Sequence, residues 1–311
     1  MKAVRYNRFG DSDVLAYGEI ERPTPTTGQV LVRVAGTSFN PVDAAIRAGY
    51  LAEAFPVAFP HVPGIDVAGT IAERGDEAGD WQVGQAVVAF LPMNADGAAA
   101  EYVVAPVEAL AAAPQTVNLA DAAALPAVGL TAWQALFDHA GVKVGQTVLV
   151  NGAGGAVGGY AVQLAKRAGA VVTATAGAPS VERLRDYGAD RTIGYLDYVT
   201  TPPTVDGAPF DIVLNLVTTT PEQTAGLVEL VKDGGVLVST TTPAPEDPAR
   251  GVRTVQLFAR SDAAQLAGLV QRVDAGELRI DVAARRPLDE LAVVHREAGA
   301  GQRTGKVVLV P

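Results

Sequence analysis

The 311-residue sequence contains no cysteine, and this absence excludes several kinds of chemistry. Disulfide bonds, cysteine nucleophiles, iron–sulfur clusters and zinc sites with thiolate ligands all require that residue. Histidine is also scarce: only His61, His139 and His295 are present, and none lies in an H-E-x-x-H pattern. We therefore predict that the protein binds no catalytic metal, that the histidines are structural, and that His295 lies on the surface of a helix.

The sequence also lacks an excess of positive charge and any long apolar run. Lysine and arginine number 24 against 34 aspartates and glutamates, a formal charge of -10. This balance argues against binding to nucleic acid or to an anionic membrane. No apolar segment approaches the roughly 18 residues that span a bilayer, and residues 1–6 lack the apolar core of a signal peptide. These features predict a cytoplasmic protein with neither a nucleic-acid nor a membrane partner.

The first 120 residues have the pattern of a β-rich domain. One short helix, at 41–47, interrupts the strands, and Asn40 and Pro41 suit its N-cap and first position. Asn40 either caps this helix, contacts a cofactor, or does both, and the simplest interpretation of Asp43 is an exposed helix residue. Short strands separated by glycine and proline indicate a compact, barrel-like domain. They are predicted at 29–35, 64–73, 85–90 and 100–104.

From residue 123 the pattern changes to strands that alternate with helices. A helix at 123–140 is followed by β-branched strands at 148–151, 170–175, 191–195, 210–217, 235–240 and 254–258, with helices at 161–168, 180–187 and 221–230 between them. This alternation is typical of a doubly wound parallel sheet. Two further helices, at 262–275 and 287–298, precede a terminal strand at 305–310, which needs a sheet to join. We therefore predict a discontinuous β-rich domain (1–122 and 259–311) into which a parallel-sheet domain (123–258) is inserted.

The glycine-rich stretch at 148–159 follows a strand and opens a helix. Gly152, Gly155 and Gly158 are spaced three residues apart, and Ala153 takes the first place of the dinucleotide pattern G-x-G-x-x-G. Small residues permit a tight turn and a close approach of the backbone to a pyrophosphate, which the free N–H groups of a helix N-terminus then bind. The stretch therefore predicts a nicotinamide dinucleotide site.

The preferred dinucleotide is predicted from the end of the second strand of this domain. Enzymes that use NAD usually carry an acidic residue there to bind the ribose 2′-hydroxyl, but this strand runs into Ala176-Gly177-Ala178. Ser180 and Arg183 are the nearest groups that could bind a 2′-phosphate, although Arg183 could instead lie on a solvated helix face. The sequence therefore favours NADPH.

Several short motifs along the chain together resemble a known family. They lie at 30–34, 39–43, 63–69, 123–126, 130–133, 155–166, 188–190 and 305–306. In this order and spacing they are similar to the zinc-free medium-chain dehydrogenases/reductases of the quinone oxidoreductase (zeta-crystallin-like) type. The resemblance implies a GroES-like β-rich catalytic domain around a Rossmann-type doubly wound parallel-sheet domain, with the active site in the cleft between them.

The resemblance also implies roles for individual residues. Zinc-dependent members carry cysteine where Asn40 stands and Gly-His-Glu where Gly64-Ile65-Asp66 stands. Asn40 and Thr131 resemble residues beside the nicotinamide, and Tyr195 resembles a tyrosine on the adenosine side. Two positions depart from the family: Ala45 replaces a tyrosine of some quinone reductases, and Gln85 replaces an acid. Motif and resemblance together predict the catalytic residues Asn40, Tyr50 and Thr131 and the coenzyme-binding residues Asn40, Thr131, Gly152, Gly154, Gly155, Ala156, Val157, Gly158, Thr175, Ser180, Arg183, Tyr195, Val217, Phe258 and Lys306.

The expected activity is hydride transfer from NADPH to a quinone or another conjugated carbonyl compound without a metal. Conjugation spreads the developing negative charge, and hydrogen bonds from Asn40, Tyr50, backbone or water could stabilise it further. One alternative is an ene reductase of a biosynthetic pathway, and another is an NADPH-binding sensor or structural protein without activity. Members of the family commonly form dimers or tetramers through the edge strand of the Rossmann domain, so we expect a homodimer through residues 254–258.

Overall fold

The computed structural model describes residues 1–200, 202–302 and 305–311. The chain divides into two compact units, one formed by Met1–Ala127 with Ser261–Pro311 and the other by Val128–Arg260. The catalytic and coenzyme-binding roles of the two parts stay predictions. Within the described residues no helix combines the length and apolar character that a membrane crossing requires.

The elements are numbered in chain order. The strands are β1 (Lys2–Arg5), β2 (Ala16–Glu19), β3 (Gln29–Ser38), β4 (Asp66–Arg74), β5 (Ala86–Phe90), β6 (Tyr102–Pro106), β7 (Leu110–Ala112), β8 (Thr147–Asn151), β9 (Val171–Thr175), β10 (Arg191–Ile193), β11 (Phe210–Asn215), β12 (Val231–Ser239), β13 (Arg253–Gln256), β14 (Ala284–Pro287) and β15 (Val307–Val310). The α-helices are α1 (Pro41–Ala48), α2 (Pro126–Trp133), α3 (Ala156–Arg167), α4 (Ala178–Asp186), α5 (Pro221–Val228), α6 (Ala263–Asp274) and α7 (Leu291–Gly299).

The first unit is built around a mixed sheet with the strand order β14-β15-β3-β4-β5-β7, and β6 also pairs with β3. The long strand β3 carries apolar residues on both faces, and Val30, Val32 and Val34 pack with Val67 and Ile71 of β4 in one core cluster. As predicted, the last strand of the chain joins this sheet: β15 pairs antiparallel with β3. The β-rich domain expected from the sequence is thus confirmed: its mixed sheet joins β3–β7 to β14 and β15, while β1 and β2 form a separate two-stranded sheet.

The short helix α1 begins and ends where its sequence favours a boundary. Asn40 has the extended backbone of an N-cap and Pro41 occupies the first helical position. The helix ends at Gly49, whose φ of +87° lies in the left-handed region that glycine tolerates. This helix and the end of β3 position Asn40 and Asp43.

Two expectations about polar residues in this unit were wrong. Asp43 is buried, not exposed on the helix surface. His295 is also buried: α7 turns it inward, and its ring lies 4.8 Å from that of Phe39. Burial and the positive charge of Arg47 lower the pKa of His295 to about 3, so this histidine is neutral at ordinary pH.

The second unit contains a six-stranded, wholly parallel sheet with the order β10-β9-β8-β11-β12-β13. The predicted doubly wound sheet is therefore confirmed. The chain moves outward from β8 to β10 on one side and from β11 to β13 on the other. Ligands of such sheets bind at the carboxyl ends of the strands where the order reverses, and here these are β8 and β11.

Candidate active site

The glycine-rich turn joins the carboxyl end of β8 to α3, as the motif predicted. Gly152 has a φ of +90°, and a Cβ placed there would lie 2.8 Å from Cγ1 of Val217. At Gly158 a Cβ would lie only 2.4 Å from Cα of Ala153, so the helix approaches the turn more closely than any other residue permits. Gly155 is the N-cap of α3, and Ala156 and Val157 begin its first turn, where backbone N–H groups lack helical partners. This geometry fits the pyrophosphate of a dinucleotide.

A network of polar side chains holds the turn in place. The Thr175 hydroxyl accepts a hydrogen bond from the Gly152 N–H (2.8 Å) and donates one to Oδ1 of Asn151 (3.0 Å). Nδ2 of Asn151 donates to Oδ1 of Asn215 and to the hydroxyl of Tyr198, both at 2.9 Å. The carboxyl ends of β8, β9 and β11 are thereby joined. We did not predict Asn151, Asn215 or Tyr198, although an asparagine that ends a buried strand is a signal available from sequence.

Arg183 packs against the turn, so the solvated helix face considered for it is wrong. Its Nη2 donates to the carbonyl oxygen of Gly154 at 2.7 Å and to the Ser180 hydroxyl at 3.3 Å. Ser180 is itself buried, and a Cβ at Gly154 would lie 3.2 Å from its hydroxyl oxygen. Tyr195 lies close to Gly177, since a Cβ on that glycine would come within 2.8 Å of its hydroxyl. A guanidinium group thus lies beside the turn, and residues 176–178 after β9 include no acid.

Three other residues of this unit were predicted to bind the coenzyme: Thr131, Phe258 and Val217, whose side chain lies beside Gly152. The carbonyl oxygen of Val217 accepts hydrogen bonds from Nδ2 of Asn215 and from the hydroxyl of Thr241. Thr131 lies within α2. Phe258 is 60% exposed and follows β13, which ends at Gln256, so the predicted strand at 254–258 is shifted toward the N-terminus. The coenzyme roles of these residues stay predictions.

In the first unit, a buried polar cluster surrounds Asp66, the first residue of β4. Its Oδ1 accepts a hydrogen bond from the backbone N–H of Ala127 at 2.7 Å. Its Oδ2 accepts from the Ser38 hydroxyl (2.5 Å), from Nδ2 of Asn40 (2.8 Å) and from Nζ of Lys306 (3.2 Å). Because Asp66 is fully buried, these donors replace the water that a carboxylate needs.

Lys306 is the cationic member of the cluster. Its Nζ donates to Oδ1 of Asn40 (2.5 Å), to the carbonyl oxygen of Phe39 (3.1 Å) and to Asp66. An ammonium group has three hydrogens, so all three have acceptors within this unit. The structure therefore brings together two of the predicted site residues, Asn40 and Lys306. The ammonium group of Lys306 hydrogen-bonds to other protein groups, and its predicted role in coenzyme binding stays a prediction.

Asp43 is a second buried acid beside the cluster. Its carboxylate accepts hydrogen bonds from the backbone N–H groups of Asn40 (3.2 Å) and Gly64 (3.1 Å). Burial, and then the charge of Asp66, raise the pKa of Asp43 to about 7, although Lys306 acts in the opposite direction. It lines a small pocket together with Tyr6, His61 and other residues of this unit.

Tyr50, the third predicted catalytic residue, follows the end of α1 and is 85% exposed. It lies outside the buried cluster. Within the residues that the structure describes, no group of three histidines or acids could hold a metal ion.

Comparisons with known families agree with this architecture. A family model described as "Alcohol dehydrogenase GroES-like domain" matches residues 26–115. A second model, described as "Zinc-binding dehydrogenase", matches residues 187–309.

Individual relatives match the whole chain. A chloroplast envelope quinone oxidoreductase homolog of Arabidopsis thaliana is 34% identical over 100% of this chain and 98% of its own length. The 2-methylene-furan-3-one reductase of Solanum lycopersicum is 31% identical over 100% of this chain and 79% of its own. A mycobacterial protein whose structure was solved in complex with NADPH superimposes with a TM-score of 0.87, at 28% identity, over 100% of both chains.

Proposed function

Because the chain belongs to the quinone oxidoreductase family of medium-chain dehydrogenases/reductases, we propose that it transfers a hydride from NADPH to a quinone or another conjugated carbonyl compound. The observation that carries this proposal is the turn at 152–158, where the positive φ at Gly152 and the close approach of the backbone at Gly158 match the tight strand-to-helix turn that binds a pyrophosphate. The oxidoreductase class follows from the family. The preference for NADPH and the class of acceptor are our proposals.

The preference for NADPH is supported by the residues beside the turn. Arg183 offers a positive charge next to Gly154, and no acid follows β9 to repel a 2′-phosphate. In the NADPH-bound enzyme, Gly152, Gly154, Gly155 and the first turn of α3 would hold the pyrophosphate. NADPH, when bound, supplies the hydride.

We propose a conjugated acceptor because stabilising a simple alkoxide calls for a Lewis acid, and among the described residues no group of three histidines or acids is placed to hold a metal ion. A quinone or an enone delocalises the developing charge itself, so positioning and hydrogen bonds suffice. We assign positioning at the nicotinamide to Asn40 and Thr131. The proton comes from Tyr50 or from solvent, and the high exposure of Tyr50 suits exchange with water.

An enone reductase is the second candidate function. It is favoured by the similarity to the 2-methylene-furan-3-one reductase, whose named substrate is a conjugated ketone. An NADPH-binding protein without activity is the third candidate, and only assays distinguish it from the other two.

Steady-state assays with NADPH or NADH against a panel of para- and ortho-quinones and linear enones test the proposal. We expect turnover with NADPH that is unchanged by EDTA, and a preference for one acceptor class that separates the first two candidates. Replacing Arg183 with alanine should raise KM for NADPH about tenfold with little change for NADH. Lack of binding of either coenzyme in calorimetry would overturn the proposal, and tight binding without turnover would favour the third candidate.

We also propose that the protein is a homodimer paired through β13. This strand is the edge of the six-stranded sheet, and an open edge favours pairing with a second strand. Light scattering coupled to gel filtration should give about twice the chain mass of 32.0 kDa. A proline at Val255 should reduce the measured mass to that of one chain, whereas a monomeric wild type would contradict the proposal.

A further inference from the structure

The side-chain amide of Asn40 has its two ends against groups of opposite charge. Its Nδ2 lies 2.8 Å from a carboxylate oxygen of Asp66, and its Oδ1 lies 2.5 Å from the ammonium of Lys306. A rotation of the amide by 180° would place N–H groups against the ammonium and an oxygen against the carboxylate. Both contacts would be repulsive, and because the charged groups of Asp66 and Lys306 are buried, water would offset little of the repulsion. The charged pair therefore selects one of the two amide orientations.

In this orientation the amide has no hydrogen left to donate. One Nδ2 hydrogen is directed to Asp66 and the other to the carbonyl oxygen of Ser38, at 3.4 Å. The hydroxyl of Ser38 and all three hydrogens of Lys306 are also engaged. An amide oxygen accepts two hydrogen bonds, and Oδ1 receives one from Lys306. The remaining polar capacity of Asn40 is one lone pair on Oδ1.

We propose that Asp66 and Lys306 are positioning residues that hold Asn40 as a hydrogen-bond acceptor. At the proposed active site, Asn40 then accepts a hydrogen bond from the carboxamide NH₂ of the nicotinamide and does not donate to the carbonyl oxygen of the acceptor. This inference rests on the proposed function. It assigns Asn40 to coenzyme binding and leaves the stabilisation of negative charge on the acceptor to other groups.

A purely structural role would not require this arrangement. A buried ion pair contributes little net stability compared with apolar residues of the same size. Asn40 and Asp66 lie 26 residues apart, and Lys306 lies 240 residues beyond Asp66, so three distant segments meet at one amide. Together, Asp66 and Lys306 determine which side-chain atom of Asn40 can form a further hydrogen bond.

A coenzyme analogue tests the proposal by binding alone. In 3-acetylpyridine adenine dinucleotide phosphate, a methyl group replaces the carboxamide NH₂ of NADP⁺, so the ring substituent keeps an acceptor but loses its donor. By calorimetry, the wild-type protein should bind NADP⁺ about tenfold more tightly than this analogue. Asn40→Ser should bind the two equally, mainly through weaker binding of NADP⁺.

The lysine is tested by a matched pair of variants. Lys306→Met removes the cation and should abolish most of the discrimination between NADP⁺ and the analogue, whereas Lys306→Arg keeps charge and donors and should restore it. In protein labelled with ¹⁵N-asparagine, the Asn40 amide protons should exchange with water faster in Lys306→Met than in Lys306→Arg. Circular dichroism checks that each variant is folded.

The outcomes separate failure of this inference from failure of the proposed function. If the wild type binds neither dinucleotide, the proposed function fails and the inference with it. If the wild type binds NADP⁺ but Asn40→Ser discriminates against the analogue as strongly as the wild type, the inference alone is overturned. Unchanged discrimination in folded Lys306→Met would likewise exclude the positioning role.

Discussion

Asp43 illustrates how burial makes one residue sensitive to pH. Its pKa rises from an ordinary value of 3.8 to about 7, mainly because the folded protein removes it from water. Between these values the unfolded chain has lost the proton while the folded protein keeps it. Because the folded state binds more protons there, stability falls as pH rises from about 4 to 7, by as much as about 1.4 kcal/mol per pH unit. Below this window the contribution of Asp43 is fully present.

We predict that Asp43→Asn removes this component of the pH dependence. Relative to wild type, the free energy of unfolding of the variant should increase as pH rises from 4 to 7, because only the wild type loses stability in this range, and it should then level off. An asparagine side chain has one oxygen and keeps only one of the two hydrogen bonds from backbone N–H groups, so the variant also changes stability by a constant amount. The test is therefore how the stability difference between variant and wild type changes with pH, and not its absolute size. Urea unfolding at several pH values measures it, with the exposed Glu53→Gln as control. A constant difference between Asp43→Asn and wild type would contradict the shifted pKa.

His295 acts in the opposite direction. Its folded pKa of about 3 lies below the ordinary value of 6.5, so the unfolded chain binds the extra proton between these values and stability rises with pH. Over most of the range from pH 4 to 6.5 the contributions of His295 and Asp43 therefore oppose each other, which is why Asp43 must be studied by difference between variants.

At the scale of elements, the junction of β8 and α3 depends on Gly158. A methyl group there would meet backbone atoms of Ala153, which cannot move aside as a flexible side chain can. We predict that Gly158→Ala displaces the helix from the turn, lowers Tm and weakens NADPH binding at least tenfold. Thermal unfolding and calorimetry measure the two effects.

The next residue provides the matched control. A Cβ on Gly159 would lie 3.5 Å from the ring of Tyr187, an ordinary contact, and alanine favours a helix by up to about 1 kcal/mol over glycine. Gly159→Ala should therefore retain NADPH binding and raise Tm slightly. Equal losses in both variants would show that the turn tolerates no change, and the argument from Gly158 would fail.

The individual strands and helices also show how much of the fold the sequence could predict. The periodic strands of the parallel sheet and the glycine spacing are local signals, so β8 and its neighbouring strands were predicted to within a few residues. The helix predicted at 161–168 is α3, which begins five residues earlier, at Ala156. Strands β1, β2, β7 and β14 have four residues or fewer and no clear alternation, and they were missed. Such strands are stabilised by the partners that the fold brings to them.

The candidate site likewise has one part that the sequence predicted and one that it did not. The glycine turn is encoded within a few residues, and the structure confirms its geometry. Asp66 and Lys306 were not recognised as a pair, because charged residues usually lie on the surface and sequence does not show a contact across 240 residues. Their positions did carry a signal, since Asp66 is the first residue of a largely apolar strand and Lys306 directly precedes another.

At the scale of the whole molecule, the last strand, β15, packs in the same core cluster as the first strand, β1. Leu309 of β15 is fully buried in a cluster with Ala3, Val4 and Tyr6 near the N-terminus, and Val307 packs in the same cluster. The core of this unit therefore includes residues from distant parts of the sequence, and β15, which contributes to this core, directly follows Lys306.

We predict that Leu309→Ala lowers the free energy of unfolding by about 2–5 kcal/mol, as for other large-to-small changes in a core. Val310→Ala, at the partly exposed end of the same strand, is the control and should cost less than about 1.5 kcal/mol. Urea unfolding followed by circular dichroism compares the two. Because Leu309 lies three residues after Lys306, the larger loss should also accelerate exchange of the Asn40 amide protons. Equal, small effects of both variants would mean that the first residues form their core without the last strand.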